Sequence, residues 1–175
     1  MHELFYSPVD VARIIGRHML PITDAMKLTR RIWREDNAYL RSEYRSDYKK
    51  WALAVMYWSD YMQDKAAMDA EIPAIQEMCG RERSDESMLR NDFDMDLFFK
   101  ELRIRILFIS KNECVWMKLR TLLEDYGYKR RSREFVRFVK DRLYFYHIQT
   151  ALTGNHICDV ETMDRLDDMI TFRVL

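Results

Sequence analysis

Seven basic residues cluster late in the chain: Lys129, Arg130, Arg131, Arg133, Arg137, Lys140 and Arg142, with only Glu134 and Asp141 among them. The local balance is plus five. Arg130, Arg133, Arg137 and Lys140 follow one another by three, four and three, so on a helix they line one face while Phe135, Val136 and Val139 turn inward. Such a stripe suits phosphate, through Coulomb attraction and the forked donors of Arg. It suits equally a solvated helix face or a patch for an acidic protein. Across the chain 29 Lys and Arg balance 29 Asp and Glu, and a protein living on non-specific phosphate attraction normally carries a basic excess.

An acidic counterpart follows. Asp159, Glu161, Asp164, Asp167 and Asp168 stand against Arg165 alone, a balance of minus four. Folded over the basic helix, this stretch would screen it and mimic phosphate. Left free, it is a surface loop whose charges keep it soluble.

Catalytic chemistry finds little support. Asp92, Asp94 and Asp96 alternate like ligands of a hard metal, yet they precede an expected helix, whose positive end favours acids. There is no Gly-rich phosphate loop, no nucleophile elbow and no His-Glu-x-x-His helix. His156 and Cys158 are a poor metal pair without further ligands, and His2, His18 and His147 are scattered. Cys114 sits among apolar residues and reads as inert. No catalytic residue, metal or cofactor is therefore expected.

The elements that must position these residues are mostly helical. Only 4 Gly and 3 Pro interrupt the chain, and the hydrophobic fraction is 48%, which favours long helices over a sandwich. Ser7, Pro8 and Asp10 mark a helix start, and Pro21 marks its end. A second helix is expected from Thr23 or Asp24. The strongest periodicity comes next, in Leu40, Tyr44, Tyr48, Trp51, Val55, Trp58 and Met62, with room for a break between Asn37 and Asp47. This stripe reads first as the core of a helical bundle. It reads second as a partner surface widened by Tyr57 and Tyr61, since aromatic residues and Met are enriched where proteins bind one another.

Residues 81–91 are polar and read as the boundary between a helical unit, 1–90, and a second unit, 91–175, unless both share one core. In the second unit a short helix is expected over 93–101 and a strand over 102–109, where apolar residues first alternate and then run together, with a helix running through that stretch as the alternative. A helix capped by Ser110 should carry Val115, Leu119, Leu122 and Leu123 and stop at Gly127. Ser132 caps the basic helix, and strands follow at 148–152 and 170–174. The fold class is thus mainly α with a small β component. No apolar run reaches the about 18 residues of a membrane span, the N-terminus lacks a secretion pattern, and the odd count of three cysteines suits reduced thiols, so a cytoplasmic protein is expected.

Residues 119–143, LRTLLEDYGYKRRSREFVRFVKDRL, resemble small bacterial winged-helix modules, with an apolar helix, a Tyr-Gly turn and a basic second helix. The likeness covers about the last third of the chain. It implies a helix-turn-helix variant whose second helix contacts nucleic acid and whose strands form a wing, although such modules also serve protein–protein contact. On this reading DNA or RNA meets Lys129, Arg130, Arg131, Arg133, Arg137 and Lys140 as phosphate contacts, with Gln149 and Thr150 near the wing. The alternative is a protein-interaction module (an adaptor, an assembly subunit, or an inhibitor of a nucleic-acid enzyme) working through Tyr57, Trp58 and Tyr61. The oligomeric state stays open.

Overall fold

Local capping signals start the first and the last of the helices. Ser7 starts α1 (Pro8–Arg17) with a reciprocal capping box: its hydroxyl oxygen accepts from the Asp10 N–H at 3.2 Å, and the Asp10 carboxylate accepts from the Ser7 N–H at 2.8 Å. A computed structural model describes residues 4–71, 95–128, 130–152, 156–163 and 165–175. Among these residues the fold is mainly α, with six α-helices and one three-stranded sheet. The chain divides into two units, 1–90 and 91–175. No helix among the described residues is long and apolar enough to cross a membrane.

In the first unit, α1 and α2 (Ile22–Glu35) both pack on α3 (Tyr48–Glu71) as a small helical bundle. Val11, Ile14 and Ile15 face inward from α1, Leu28 and Ile32 from α2, and Trp51 and Val55 from α3. Pro21 is the cap of α2, while α1 has already ended at Arg17. The aromatic stripe breaks inside the expected window. Before α3, Leu40 and Tyr44 lie in a stretch of two short 3-10 turns, Asn37–Tyr39 and Ser42–Tyr44, where side chains complete the backbone hydrogen bonding without an α-helix. Arg45 donates to the carbonyls of Leu40 and Ala38 (both 2.8 Å), the Trp33 indole to Tyr44 (2.9 Å), and Asn37 to Trp33 and Arg45. Tyr6 forms a parallel bridge with Leu40 and donates its phenol to Asp36 at 2.9 Å, tying the chain start to this stretch.

The second unit corrects two expectations. Residues 102–109 are not a strand: α4 (95–104) runs through them into a π-turn, Arg105–Ile109. Leu102, Ile104 and Ile106 alternate in sequence, yet Phe98, Phe99, Leu102 and Ile106 are buried together at helical spacing. Arg103, which a strand would turn outward, is buried and donates to the Tyr146 carbonyl at 2.5 Å. Nor does a helix start at Ser110. Its backbone N–H closes the π-turn onto Arg105, Glu113 takes a positive φ of 52°, and Val115–Lys118 form β1. A four-residue strand has too little sequence to show a period of its own, and its partner lies far along the chain.

After β1 the expected order holds. Helix α5 (Leu119–Asp125) ends at Gly127, whose φ of 74° lets the N–H groups of Gly127 and Tyr128 reach the Glu124 and Leu123 carbonyls. Ser132 caps α6 (Arg133–Phe145) by accepting from the Phe135 N–H at 3.1 Å. Strands β2 (Ile148–Ala151) and β3 (Met169–Val174) then complete an antiparallel sheet in the order β1-β3-β2. Val115, Ile170, Phe172, Ile148 and Thr150 share its buried face, and Phe135, Val136, Val139 and Leu143 of α6 join the same core.

Asp92 and Asp94 lie outside the described residues. Asp96 is paired with Arg142: its two oxygens accept Nε and Nη2 of that residue at 2.7 and 3.3 Å, with side chains 7% and 21% exposed. Arg142 also covers the Phe138 ring at 3.6 Å. Among the described residues, no cluster of three His, Cys, Asp or Glu could hold a metal. Breaking this buried pair leaves a stranded charge, so Arg142→Met should lower stability by about 3 kcal/mol. In urea unfolding, the double variant Asp96→Asn/Arg142→Met should recover part of that loss, and added magnesium should change nothing. Magnesium stabilisation that disappears with Asp96→Asn alone would restore the metal reading.

Candidate functional site

The basic segment does not act as one stripe. Helix α6 starts only at Arg133, so Arg130 belongs to the turn before it, and Arg133, Arg137 and Lys140 share the helix face. Arg131, Arg133, Arg137 and Lys140 line a groove of 460 Å³ together with Val136, Asp141 and Glu161. Lys129 lies outside the described residues.

Two of these cations are already engaged by the connection between β2 and β3. That connection first folds back along β2. Ala151 bridges Ile157, the Cys158 N–H donates to the Thr150 carbonyl at 3.0 Å, and the Thr150 hydroxyl donates to the Cys158 carbonyl at 2.6 Å. The Thr150 hydroxyl is therefore structural rather than a contact for nucleic acid. Gln149 is half-buried beside a larger apolar groove of 640 Å³, between the end of α6, β2 and the connection. Val160 and Met163 bury their side chains, which brings the acids beside them against α6.

Asp159 then caps its own turn, accepting from the Glu161 N–H at 2.8 Å. Lys140 Nζ donates to Asp159 Oδ2 at 2.8 Å and to Glu161 Oε2 at 3.0 Å. Arg131 Nη1 donates to the carbonyls of Val160 at 2.9 Å and Met163 at 2.7 Å. Further on, Arg120 of α5 makes a forked pair with Asp167, at 2.7 and 2.9 Å. The acidic stretch is thus folded onto basic residues at two places, rather than being a free soluble loop.

The electrostatics follow the geometry. The ammonium of Lys140 holds the Asp159 carboxyl below the usual carboxylate range, helped by the Glu161 N–H. Hydrogen bonds to Asp159 and Glu161 hold Lys140 above its ordinary value. Arg120 depresses Asp167 in the same way. Burial pushes the Cys158 thiol up, away from reactivity, and Cys114 is a buried free thiol.

What remains is a smaller basic surface. Arg130, Arg133 and Arg137 are exposed, and among the described residues no carboxylate pairs with them. Arg133 and Arg137 stand one turn apart, close enough to donate to neighbouring phosphate oxygens. In the first unit, Tyr57 and Tyr61 are exposed and each meets the half-buried Trp58 ring edge-on at 5.6 Å. Both sets of residues are ones that the sequence singles out as candidates. Sequence reasoning missed the pairing of Asp96 with Arg142 and the engagement of Arg131 by carbonyls, because neither leaves a local pattern.

Comparison with protein families, with curated proteins and with solved structures finds no match for this chain.

The depressed Asp159 carboxyl contributes stability that is present above its unfolded value and lost as pH falls through its folded one. The raised Lys140 contributes below its unfolded value and loses this as pH rises through its folded one. The tie is accordingly complete at neutral pH and opens in acid, below about pH 4. Carboxyl NMR titration should show Asp159 moving upward, toward the ordinary carboxylate value, in Lys140→Met. An unmoved Asp159 would mean that the Lys140 contact is not formed in solution.

Proposed function

We propose that the C-terminal unit is a non-catalytic, cytoplasmic nucleic-acid-binding module of winged-helix type that holds phosphates with Arg130, Arg133 and Arg137. The observation that carries this reading is the exposure of these three guanidinium groups, with no carboxylate partner among the described residues, while Arg131 and Lys140 are spent on the connection. Element order gives it support. Helix, strand, helix, turn, helix, strand, long connection and strand, with the last strand central in the sheet, is the order of a winged helix. In that arrangement the connection between β2 and β3 takes the place of the wing. Its acids lie along α6, where phosphate would compete with them for Lys140.

A second reading is favoured by the first unit. The exposed rings of Tyr57 and Tyr61 around Trp58 form the kind of rigid aromatic surface that anchors a protein partner. On this reading the chain is an adaptor or an assembly subunit.

The deciding experiment is fluorescence anisotropy of labelled duplex and single-stranded DNA and RNA at several salt concentrations. Arg130→Glu/Arg133→Glu/Arg137→Glu should weaken binding on the order of 100-fold at low salt, whereas Lys140→Met should change it far less. Equal affinity of the triple variant, or no binding by the unaltered chain at low salt, would transfer the function to a protein partner.

A further inference from the structure

The outward face of the sheet carries a large aromatic side chain where a small polar one would serve. Trp116 on β1 is 52% exposed, and Met169 on β3 is 41% exposed. The register puts Trp116 opposite Thr171 and Lys118 opposite Met169. On the other side of β3, Arg173 lies opposite Gln149 and Thr171 opposite Ala151. Because side chains alternate across a strand, Trp116, Lys118, Met169, Thr171, Arg173, Gln149 and Ala151 all belong to one face. It is opposite the buried face formed by Val115, Ile170, Phe172 and Ile148; Thr171 and Ala151 are themselves buried, so the exposed part of this face is Trp116, Lys118, Met169 and Arg173.

This face contains no acidic residue among its strand positions. Lys118 and Arg173 are exposed, and among the described residues neither forms an ion pair. Lys118 is the next residue on this face along β1, and Arg173 sits diagonally across from Trp116, so both cations lie within roughly 7–8 Å of it by backbone spacing. Asp167, which precedes β3 and feels the charge of Lys118, is held by Arg120. The indole has no aromatic ring against it among the described residues. Leaving such a ring in water forgoes substantial burial, which a stacked base would restore.

We propose that this face is a stacking platform for an unpaired base of single-stranded nucleic acid, with Trp116 under the base and Lys118 and Arg173 on the flanking phosphates. The proposal rests on the nucleic-acid reading and narrows it to a strand class. A base in a duplex is already stacked on both sides and offers only its edges, so a flat exposed indole selects an unpaired strand. The charge flanking the ring fits a polyanion and disfavours burial against an apolar surface.

The test uses the full chain with labelled oligo(dT) of about 15 nucleotides, the span one such binding unit covers, beside a duplex of the same length. Trp116→Ala should weaken single-strand binding by roughly 5- to 100-fold, the range seen when a stacking residue is removed, and leave duplex binding unchanged. Trp116→Phe should retain most of the single-strand affinity. If Trp116→Ala binds the strand like the unaltered chain while the Arg130, Arg133 and Arg137 variant does not, the platform is refuted and the basic face stands. If the unaltered chain binds neither strand nor duplex at low salt, both readings fall. Equal loss on strand and duplex would refute stacking. So would a change from dimer to monomer in sedimentation with single-strand affinity kept, since the ring would then face a second copy.

Discussion

One guanidinium shapes the surface of the second unit. Arg131 reaches the carbonyls of Val160 and Met163, which lie in an irregular stretch outside the β-ladder. Buried carbonyls must find donors, and here the donor comes from the turn just before the basic helix. With Val160 and Met163 also buried, the connection cannot swing away from α6 without losing both its apolar anchors and this pair of hydrogen bonds. Asp159 and Glu161 flank Val160, so the same fixation delivers two carboxylates to Lys140. The division of the basic segment into spent and available cations follows from that placement rather than from any property of the cations themselves.

The energy of the Lys140 contacts is secondary. They are exposed, and exposed ion pairs add little to stability because water and salt screen them. Their consequence lies in occupancy. A polyanion approaching α6 meets Arg133 and Arg137 first, and gains Lys140 only by displacing acids that the chain already holds nearby at high effective concentration. A chain with equal numbers of basic and acidic residues can in this way still show a local positive surface, restricted in extent. The buried pairing of Asp96 with Arg142 serves another purpose: it fixes α4 to α6 in the core and removes one further cation from the exposed set.

Much of this was legible in the sequence where the signal is local. Ser7, Ser132 and Gly127 mark element ends through contacts within four residues, and all three sit where their chemistry requires. The last two strands were legible from short apolar runs, and the segregation of basic from acidic residues was visible as composition. Two things were not. Residues 102–109 alternate because α4 is buried on several sides, and burial on several sides erases the helical period. Val115–Lys118 looked like part of an amphipathic helix because the residues that make it a strand, Met169–Phe172, lie some fifty positions away in the chain. Trp116 was hidden by the same error, since its exposure depends on which face of a sheet it occupies. The partner of each acid was equally beyond a sequence reading, which can count charges but cannot place Asp159 rather than Asp168 beside Lys140.

The most direct measurement is the salt dependence of duplex binding. Each neutralised phosphate contributes about 0.9 to the slope of log affinity against log salt. With Arg131 and Lys140 held by the connection, the proposed contacts of Arg130, Arg133 and Arg137 should give a slope near about −2.7. A slope of about −5 or steeper would mean that all the basic residues engage phosphate and that the connection is no barrier. A slope near zero would mean that phosphate is not what this surface binds.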